Sequence, residues 1–402
     1  MDTRIPDDLV EEAGTRIVLV VMDGLGGLPR AANGRTELET ATTPHLDRLA
    51  KRAALGMIDP VAPGVRPGSG PGHLALFGYD PLVWNIGRGV LSALGVGFDL
   101  RDGDVAARLN FATIDAEGRV TDRRAGRPSD EVNRRLVEHL RRTVRAPAGV
   151  ELFLESEKEH RLVLILRGEG LEAELSDTDP QETGVPALPV RSLTPEAERT
   201  AGIVQDVLAQ MGRALRDEEV ANGVLARGFA AYRRYPSFAE RYRLRALAIA
   251  RYPMYRGVAR LVGMDVHPGP ASDDESVTAL TDRFQDHDFH FIHFKAIDSR
   301  GEDGDFDAKV AAIEAVDALM PRIEALEPDV LLVTGDHSTP APYRQHSWHP
   351  VPVLLASRWV RTVDVDGFGE RACTRGELGR LPAHALMTLA LAHADRLAKY
   401  GA

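Results

Sequence analysis

Residues 17–22 read IVLVVM, and Asp23 follows them directly. Two further apolar runs also lead to an aspartate: FHFIHF at 289–294, followed by Asp298, and VLLV at 330–333, followed by Asp336. Short, continuous apolar runs are typical of strands that are covered on both faces of a sheet. Because ligands bind beyond the carboxyl ends of parallel strands, we expect these three aspartates to converge at one sheet edge.

Helical patterns alternate with these runs. Residues 44–54 follow Thr43, a good N-cap, and residues 307–326 are rich in alanine and glutamate. A fourth apolar run, VPVLL, occupies residues 351–355. This alternation predicts an α/β fold with a mostly parallel sheet flanked by helices.

The middle of the chain has a different pattern. Residues 103–167 alternate between apolar and polar stretches with intervening turn signals, and residues 192–219 form a long helical pattern. We therefore predict a metal-binding catalytic domain of residues 1–102 and 236–402. A smaller α/β domain that binds substrate is predicted at residues 103–235.

Composition narrows the class of protein. The 402 residues are 44% hydrophobic and 27% charged, with 60 acids against 49 bases, and the net charge of -11 argues against a nucleic-acid partner. Cys373 is the only cysteine, which excludes an internal disulfide. The acidic residues 1–14 lack the apolar core of a signal peptide, and no apolar run approaches the ~20 residues needed to span a membrane. A cytoplasmic enzyme with no membrane partner is the expectation.

Asp336 is followed directly by His337, and His346 lies in the loop beyond it. One acid after a strand is more often a turn former, and one loop histidine is more often solvated. Together, however, carboxylates and imidazoles at a sheet edge are the usual ligands of zinc or manganese. A second acidic cluster at 298–305 does not have the spacing of an EF-hand loop.

Ser69 lies in the segment RPGSGPGH at 66–73, before an apolar helical stretch. Glycines and prolines leave little bulk around its hydroxyl. A helix N-terminus presents unpaired N–H groups and a partial positive charge, which suit a phosphate. Ser69 is therefore a candidate nucleophile, and a plain helix cap remains the alternative.

Long segments of the chain resemble the archaeal-type cofactor-independent phosphoglycerate mutases of the alkaline phosphatase superfamily. They run in order along nearly the whole sequence and include VVMDGLGGLP at 20–29, RPGSGPGHLALFGYDP at 66–81, GRVTDRRAGR at 118–127, DGDFDAKV at 303–310 and VTGDHSTP at 333–340. The resemblance implies an alkaline-phosphatase-like fold and interconversion of 2- and 3-phosphoglycerate, without 2,3-bisphosphoglycerate. It also implies a small phosphorylated substrate, and it leaves a homo-oligomer open.

The resemblance implies two divalent ions. One would be bound by Asp23, Ser69, Asp336 and His337, and the other by Asp298, Glu302 and His346. Ser69 would accept the phosphoryl group as a phosphoserine intermediate. The inserted domain would supply groups that bind the anionic substrate, namely Asn110, Asp122, Arg123, Arg161, Asp177, Asn222 and Arg227. The planar guanidinium of arginine suits carboxylate and phosphate.

Two positions depart from the family pattern. Glu302 stands where the family usually has a histidine, and Gly70 stands where an aspartate is typical. An oxygen ligand at 302 favours Mn²⁺, with Mg²⁺ and Zn²⁺ as alternatives. The acceptor is also left open: a homoserine kinase-like phosphotransferase or a phosphatase would share the phosphoserine step. A non-catalytic, metabolite-binding homologue is the remaining hypothesis.

Overall fold

The structure is a computed structural model that describes residues 9–84 and 86–401. The chain forms two compact units, one made of residues 9–84 and 236–401 and the other of residues 86–235. Residues 1–8, which begin the segment predicted to lack a signal peptide, lie outside the described residues, as do residues 85 and 402. Within the described ranges, no helix has the length and apolar character needed to cross a membrane.

Strands and helices are numbered in chain order. The strands are β1 (Ile17–Met22), β2 (Ala54–Asp59), β3 (Val105–Ile114), β4 (Val120–Asp122), β5 (Glu151–Ser156), β6 (Arg161–Arg167), β7 (Gly223–Ala231), β8 (Ala246–Ile249), β9 (Asp265–Val266), β10 (Phe289–Phe294), β11 (Val330–Thr334), β12 (Val351–Ser357) and β13 (Gly379–Pro382). The helices are α1 (Glu37–Thr40), α2 (Pro44–Ala50), α3 (Ser69–Leu76), α4 (Arg88–Gly95), α5 (Asp130–Thr143), α6 (Glu198–Leu215), α7 (Phe238–Tyr242), α8 (Pro253–Leu261), α9 (Asp273–Arg283), α10 (Ala296–Asp303), α11 (Phe306–Asp317), α12 (Met320–Glu324), α13 (Glu370–Cys373) and α14 (Leu386–His393).

The first unit is built on an eight-stranded sheet in the order β13-β2-β12-β11-β1-β10-β8-β9. Its strands pair in parallel except β12, which is antiparallel to both of its neighbours. Every residue of β1, β10 and β11 is buried, as expected for strands covered by helices on both faces. The predicted α/β class, with a mostly parallel sheet flanked by helices, is confirmed.

The second unit has an antiparallel sheet in the order β4-β3-β6-β5, with β7 paired to β3. One face of this sheet packs against α5 and α6, and Leu109, Phe111 and Leu164 belong to that core. Residues alternate between the two faces of a strand. Arg108 and Asn110 therefore lie on the opposite face from Leu109 and Phe111.

The second unit begins earlier than the sequence predicts, at residue 86 rather than 103. The reason is α4, which packs on β3 and β7. Gly89 allows this approach, because a Cβ atom there would lie 2.1 Å from the backbone oxygen of Ala106. The segment before β3 is thus part of the second unit, and the other boundary falls between residues 235 and 236.

Candidate metal-binding active site

Three buried aspartates lie together at the carboxyl ends of β10, β1 and β11, which are neighbours in the sheet. Ligand atoms of Asp23, Asp336 and His337 all lie within 4.8 Å of one another. The same holds for Asp298, His337 and His346. The structure therefore brings the strand-end acids and two histidines into one cluster, with His337 common to both groups.

Ser69 is the first residue of α3 and faces this cluster. Its Oγ lies 3.2 Å from His337 Nε2. The N-cap of α3 is Gly68 rather than Ser69, so the hydroxyl does not serve as the helix cap. Helix α3 packs closely against the backbone of Asp336. Gly72 permits this approach, because a Cβ atom there would lie 2.3 Å from the backbone oxygen of Asp336.

The two carboxylate oxygens of Asp23 have different surroundings. Oδ2 accepts a hydrogen bond from the Tyr255 hydroxyl and lies 3.0 Å from His293 Nε2 and 3.1 Å from Lys295 Nζ. Oδ1 is buried and has no hydrogen-bond partner among the described residues. Burial alone would raise the pKa of Asp23, but Lys295 and His293 hold this pKa well below its usual value. The side chain is therefore an ionised carboxylate with one oxygen available to a cation.

Asp298 is held from both sides. Lys295 Nζ lies 2.5 Å from its Oδ2, and the Thr339 hydroxyl donates to its Oδ1 at 2.6 Å. His346 Nε2 is 3.6 Å from the same Oδ1. Burial lowers the pKa of Lys295, but the charges of Asp23 and Asp298 outweigh it and raise this pKa. Lys295 is therefore protonated and places its positive charge between the two aspartates.

Glu302 lies at the edge of the cluster, one turn of α10 after Asp298. Its Oε1 is 3.7 Å from His346 Nε2, and its side chain is 55% exposed. Burial of the carboxyl group, followed by the charge of Asp298, raises the pKa of Glu302. The compact group around Asp298 contains His337 and His346, so the role of Glu302 as a ligand stays a prediction.

Asp336 is paired with a histidine that the sequence argument left without a role. His73 Nδ1 lies 3.2 Å from Asp336 Oδ2 and 2.8 Å from the backbone oxygen of Ser69. Burial and the charge of Asp23 raise the pKa of Asp336 to about 6. Burial also lowers the pKa of His337 well below its usual value, so that this imidazole is neutral. A neutral imidazole is the form that binds a metal ion.

Other contacting residues were also missed from the sequence: Tyr255, His293, Lys295 and Thr339. Two of them had a sequence signal, since His293 interrupts an apolar strand and Lys295 follows it directly. His73 had one as well, because it lies four residues after Ser69 and so shares its helix face. Tyr255 had none, because α8 reaches Asp23 only through the tertiary fold.

A fully buried lysine supports the two loops that carry the cluster. Lys309 Nζ donates to the backbone oxygens of Gly24 and Gly26, at 3.0 and 3.1 Å, and of Thr339, at 2.8 Å. Its burial is compensated by these three acceptors and by Glu37 Oε1 at 3.8 Å. This arrangement fixes the backbone next to Asp23 and His337.

In the second unit, a basic face forms on the side of the sheet that is not packed against α5 and α6. Asn110 pairs directly with Arg161 across β3 and β6, and Arg108 pairs with Arg227 across β3 and β7. Directly paired residues share one face. Burial, and then the charge of Arg88, lower the pKa of Arg108 to about 10. We call Arg88, Arg108, Asn110, Arg161 and Arg227 the arginine face.

The other predicted substrate residues form hydrogen bonds with groups of the second unit itself. The carboxylate of Asp122 accepts from the backbone N–H groups of Arg124 and Gly126, and that of Asp177 accepts from Gly228 N–H. The Asn222 side chain exchanges two hydrogen bonds with the backbone of Ile114. Arg123 forms a two-bond ion pair with Asp179, at 2.8 Å for each bond. Their predicted contact with substrate stays a prediction.

Comparison with known proteins gives one consistent result. A sequence profile described as 2,3-bisphosphoglycerate-independent phosphoglycerate mutase matches residues 50–221. A "probable 2,3-bisphosphoglycerate-independent phosphoglycerate mutase" of Thermus thermophilus is 50% identical over 398 residues, which are 98% of each chain. A solved structure from Pyrococcus horikoshii has a TM-score of 0.83 at 30% identity, covering 98% of this chain and 100% of that one. The cofactor-independent phosphoglycerate mutase of Thermoplasma acidophilum has a TM-score of 0.71 at 29% identity, covering 94% and 100%.

Proposed function

The chain belongs to the 2,3-bisphosphoglycerate-independent phosphoglycerate mutase family, and we propose that it interconverts 2- and 3-phosphoglycerate through a phosphoserine on Ser69. The observation that carries this proposal is the position of the Ser69 hydroxyl. It lies at the N-terminus of α3, 3.2 Å from His337 Nε2, beside a cluster of buried carboxylates. No 2,3-bisphosphoglycerate takes part in the proposed reaction.

The donor set of the cluster fits divalent ions. Asp23 Oδ1 is buried without a hydrogen-bond partner among the described residues, an arrangement that costs free energy unless a cation is bound. Asp23, Ser69, Asp336 and His337 would bind one ion, and Asp298, His346 and Glu302 the other. The mixture of four carboxylates with two imidazoles favours Mn²⁺ over Zn²⁺. When bound, two such ions stabilise the charge on a transferred phosphoryl group and lower the pKa of the serine hydroxyl.

The reaction is balanced over two transfers. In the first, Ser69 Oγ forms a bond to phosphorus while the bond from phosphorus to one glycerate oxygen breaks, and the serine proton ends on that oxygen. In the second, the other glycerate hydroxyl attacks the phosphoserine, and its proton returns to Ser69. Asp23 keeps its ionised form throughout, held by Lys295 and His293. Glycerate must remain bound between the two transfers.

The arginine face of the second unit is the proposed binding surface for the anionic substrate. Arg88 and Arg108 each have a lowered pKa, first because of burial and then because of neighbouring arginines, which means that positive charge is in excess there. Two buried donors, the Nε atoms of Arg108 and Arg227, lack a hydrogen-bond partner within the described ranges. An anion with several oxygens would satisfy them. A glycerate carboxylate or phosphate has this chemistry.

Intact-mass analysis tests the phosphoserine. After incubation with 3-phosphoglycerate and Mn²⁺, the parent chain should gain the mass of one phosphoryl group, and Ser69→Ala should gain none. Ser272→Ala, at the N-cap of α9 in the same unit, is the control and should still gain the adduct. An adduct on the Ser69→Ala variant would remove Ser69 from the mechanism.

Product analysis separates the mutase from the other acceptors. With 3-phosphoglycerate alone, a mutase forms 2-phosphoglycerate, a phosphatase releases inorganic phosphate, and a homoserine-type phosphotransferase requires added homoserine. Failure to convert either phosphoglycerate isomer in the presence of Mn²⁺ would contradict the mutase proposal. Loss of every activity with retained substrate binding would indicate a non-catalytic homologue.

A further inference from the structure

One ammonium group connects the two ligand groups of the cluster. Lys295 Nζ lies 3.1 Å from Asp23 Oδ2 and 2.5 Å from Asp298 Oδ2. Asp23 belongs to the group with Asp336, and Asp298 to the group with His346. The positive charge of Lys295 therefore lies next to an aspartate of each group.

Lys295 lies beside Oδ2 of each aspartate. On Asp23 it leaves Oδ1, the buried oxygen without a hydrogen-bond partner among the described residues. On Asp298 it leaves Oδ1, which lies 3.6 Å from His346 Nε2 and 3.9 Å from His337 Nδ1. The oxygen that it leaves is thus the one nearer to a proposed ligand histidine, since Asp23 Oδ1 lies 3.4 Å from His337 Nε2, whereas Asp23 Oδ2 lies 3.0 Å from His293 Nε2.

Local structure fixes where this lysine lies. Lys295 directly follows β10 and is the N-cap residue of α10, so that Asp298 lies one helical turn beyond it. Its Nζ lies 5.6 Å from the centre of the Tyr255 ring, and its side chain is 29% exposed. These contacts place the ammonium group without burying it completely.

We propose that Lys295 is a positioning residue that sets the affinity of the cluster for divalent ions. It shares the orientation of the two carboxylates with other donors, and its charge weakens both carboxylates as ligands. This inference rests on the two-ion centre of the proposed function.

The two effects of Lys295 oppose each other, and the structure indicates which is larger. Orientation survives the loss of the lysine, because Tyr255 and His293 still hold Asp23 and Thr339 still holds Asp298. The positive charge of Lys295 has no such replacement, because the hydroxyls of Tyr255 and Thr339 and the neutral imidazole of His293 carry no charge. A unit charge at this distance changes the proton affinity of a carboxylate by about ten- to a thousandfold, and a divalent ion competes for the same oxygens. Removing the charge should therefore tighten ion binding.

The test measures Mn²⁺ binding to the metal-free full chain by calorimetry, with electron paramagnetic resonance to detect spin coupling between neighbouring ions. Lys295→Met and Lys295→Gln should each bind Mn²⁺ about tenfold or more tightly than the parent, at the low end of the range above. Lys295→Arg keeps the charge and should bind within about threefold of the parent. Lys51→Met, at an exposed lysine in the same unit, is the matched control and should match the parent.

The outcomes separate this inference from the proposed function. Unchanged or weaker binding by both neutral variants, with parent-like thermal unfolding of the metal-free chain, would overturn the role of Lys295. If the Met variant unfolds, the Gln variant decides, since it retains a hydrogen-bonding side chain. A parent chain that binds no Mn²⁺ would instead contradict the two-ion centre itself.

Discussion

The cluster in the first unit and the arginine face in the second are both polar groups on a sheet, yet they are built differently. The cluster lies beyond the ends of parallel strands, where Asp23 and Asp336 are wholly buried. The arginine face lies on the flat side of an antiparallel sheet, where cross-strand pairs such as Asn110 and Arg161 set the spacing. The two regions also differ in charge, since the cluster contains carboxylates and the arginine face contains guanidinium groups.

The difference shows two ways to prepare a charged site for a ligand of opposite sign. In the cluster, neighbouring donors bind Oδ2 of Asp23 and leave its Oδ1 without a hydrogen-bond partner among the described residues. In the arginine face, like charges are held near one another, and the pKa of Arg108 falls accordingly, with burial as the larger cause. Changes in the first region should therefore affect ion binding, and changes in the second should affect substrate binding.

The largest effect should come from removing a charge in the cluster. Asp23→Asn replaces the oxygen pair by a neutral amide, which is a poor ligand for a divalent ion. We expect Mn²⁺ binding to weaken by about a hundredfold or more, beyond the 10- to 100-fold typical of residues that only support a ligand, and turnover to fall with it. Calorimetry and a coupled assay measure both. Asp307→Asn, at a surface acid of the same unit, is the control, and parent-like binding by Asp23→Asn would contradict the proposed ligand set.

A change in the arginine face should give the complementary result. Arg161→Met removes a guanidinium group without adding bulk, and a lost hydrogen bond to a charged group costs about 1.5–3 kcal/mol. KM for phosphoglycerate should rise about 10- to 100-fold by the same principle, while Mn²⁺ binding stays at the parent value. Arg142→Met, at an exposed position of α5, provides the comparison and should leave KM unchanged. If Arg161→Met weakened Mn²⁺ binding instead, the proposed division of labour would fail.

The strands of the cluster were predictable because their signal is local. Residues 17–22, 289–294 and 330–333 are continuous apolar runs, and each lies within a strand in the structure. β2 was missed because its sequence, ALGMID, includes Gly56, which weakens a strand pattern. Gly56 is required by packing, since a Cβ atom there would lie 2.7 Å from the backbone oxygen of Gly379.

The amphipathic pattern of residues 382–400 predicts a C-terminal helix, and this prediction is wrong at both ends. Pro382 ends β13 instead, and the helix covers only Leu386–His393. The amphipathic pattern continues past its true end, but Asp395 has a positive φ of 53°, which no helix accommodates. A pattern of side chains does not report such a change in backbone direction.

Some residues of the site were also predictable from local sequence, and others were not. Arg108 could have been found from Asn110, because residues two apart in a strand share a face. Arg88 could not, since it depends on α4 lying against Gly228, where a Cβ atom would be 2.6 Å from Arg88 Cβ. Tyr255 could not be found either, because it lies in α8, and the sequence of a helix does not indicate that it reaches the end of a distant strand. Local patterns predict which residues a strand presents, whereas close approaches between distant segments depend on the whole fold.

The two regions should also differ in their response to pH. The pKa of Asp336 is raised to about 6 by burial and by Asp23, so a proton must leave before an ion binds this carboxylate. Below pH 6, Mn²⁺ affinity should therefore fall about tenfold per pH unit, and above it the affinity should level off. In the arginine face, Arg108 keeps its charge throughout this range, since its pKa is lowered only to about 10. Calorimetry at pH 5, 6 and 7 tests this, and Mn²⁺ affinity that is flat from pH 5 to 6 would contradict it.

The smallest effect should come from Arg123, which lies near the arginine face in sequence but is bonded to Asp179. Arg123→Met leaves the buried Asp179 with Arg227, at 3.6 Å, as its one charged partner among the residues that the structure describes. We expect the free energy of unfolding to fall by about 1–2 kcal/mol, near the lower end for a broken ion pair because Arg123 is partly exposed. Denaturant unfolding measures this loss, with Arg124→Met, at the exposed neighbouring arginine, as the control. KM should rise less than in Arg161→Met, because the Arg123 fork already binds a carboxylate of the protein. A rise in KM as large as that of Arg161→Met, without loss of stability, would instead assign Arg123 to the substrate.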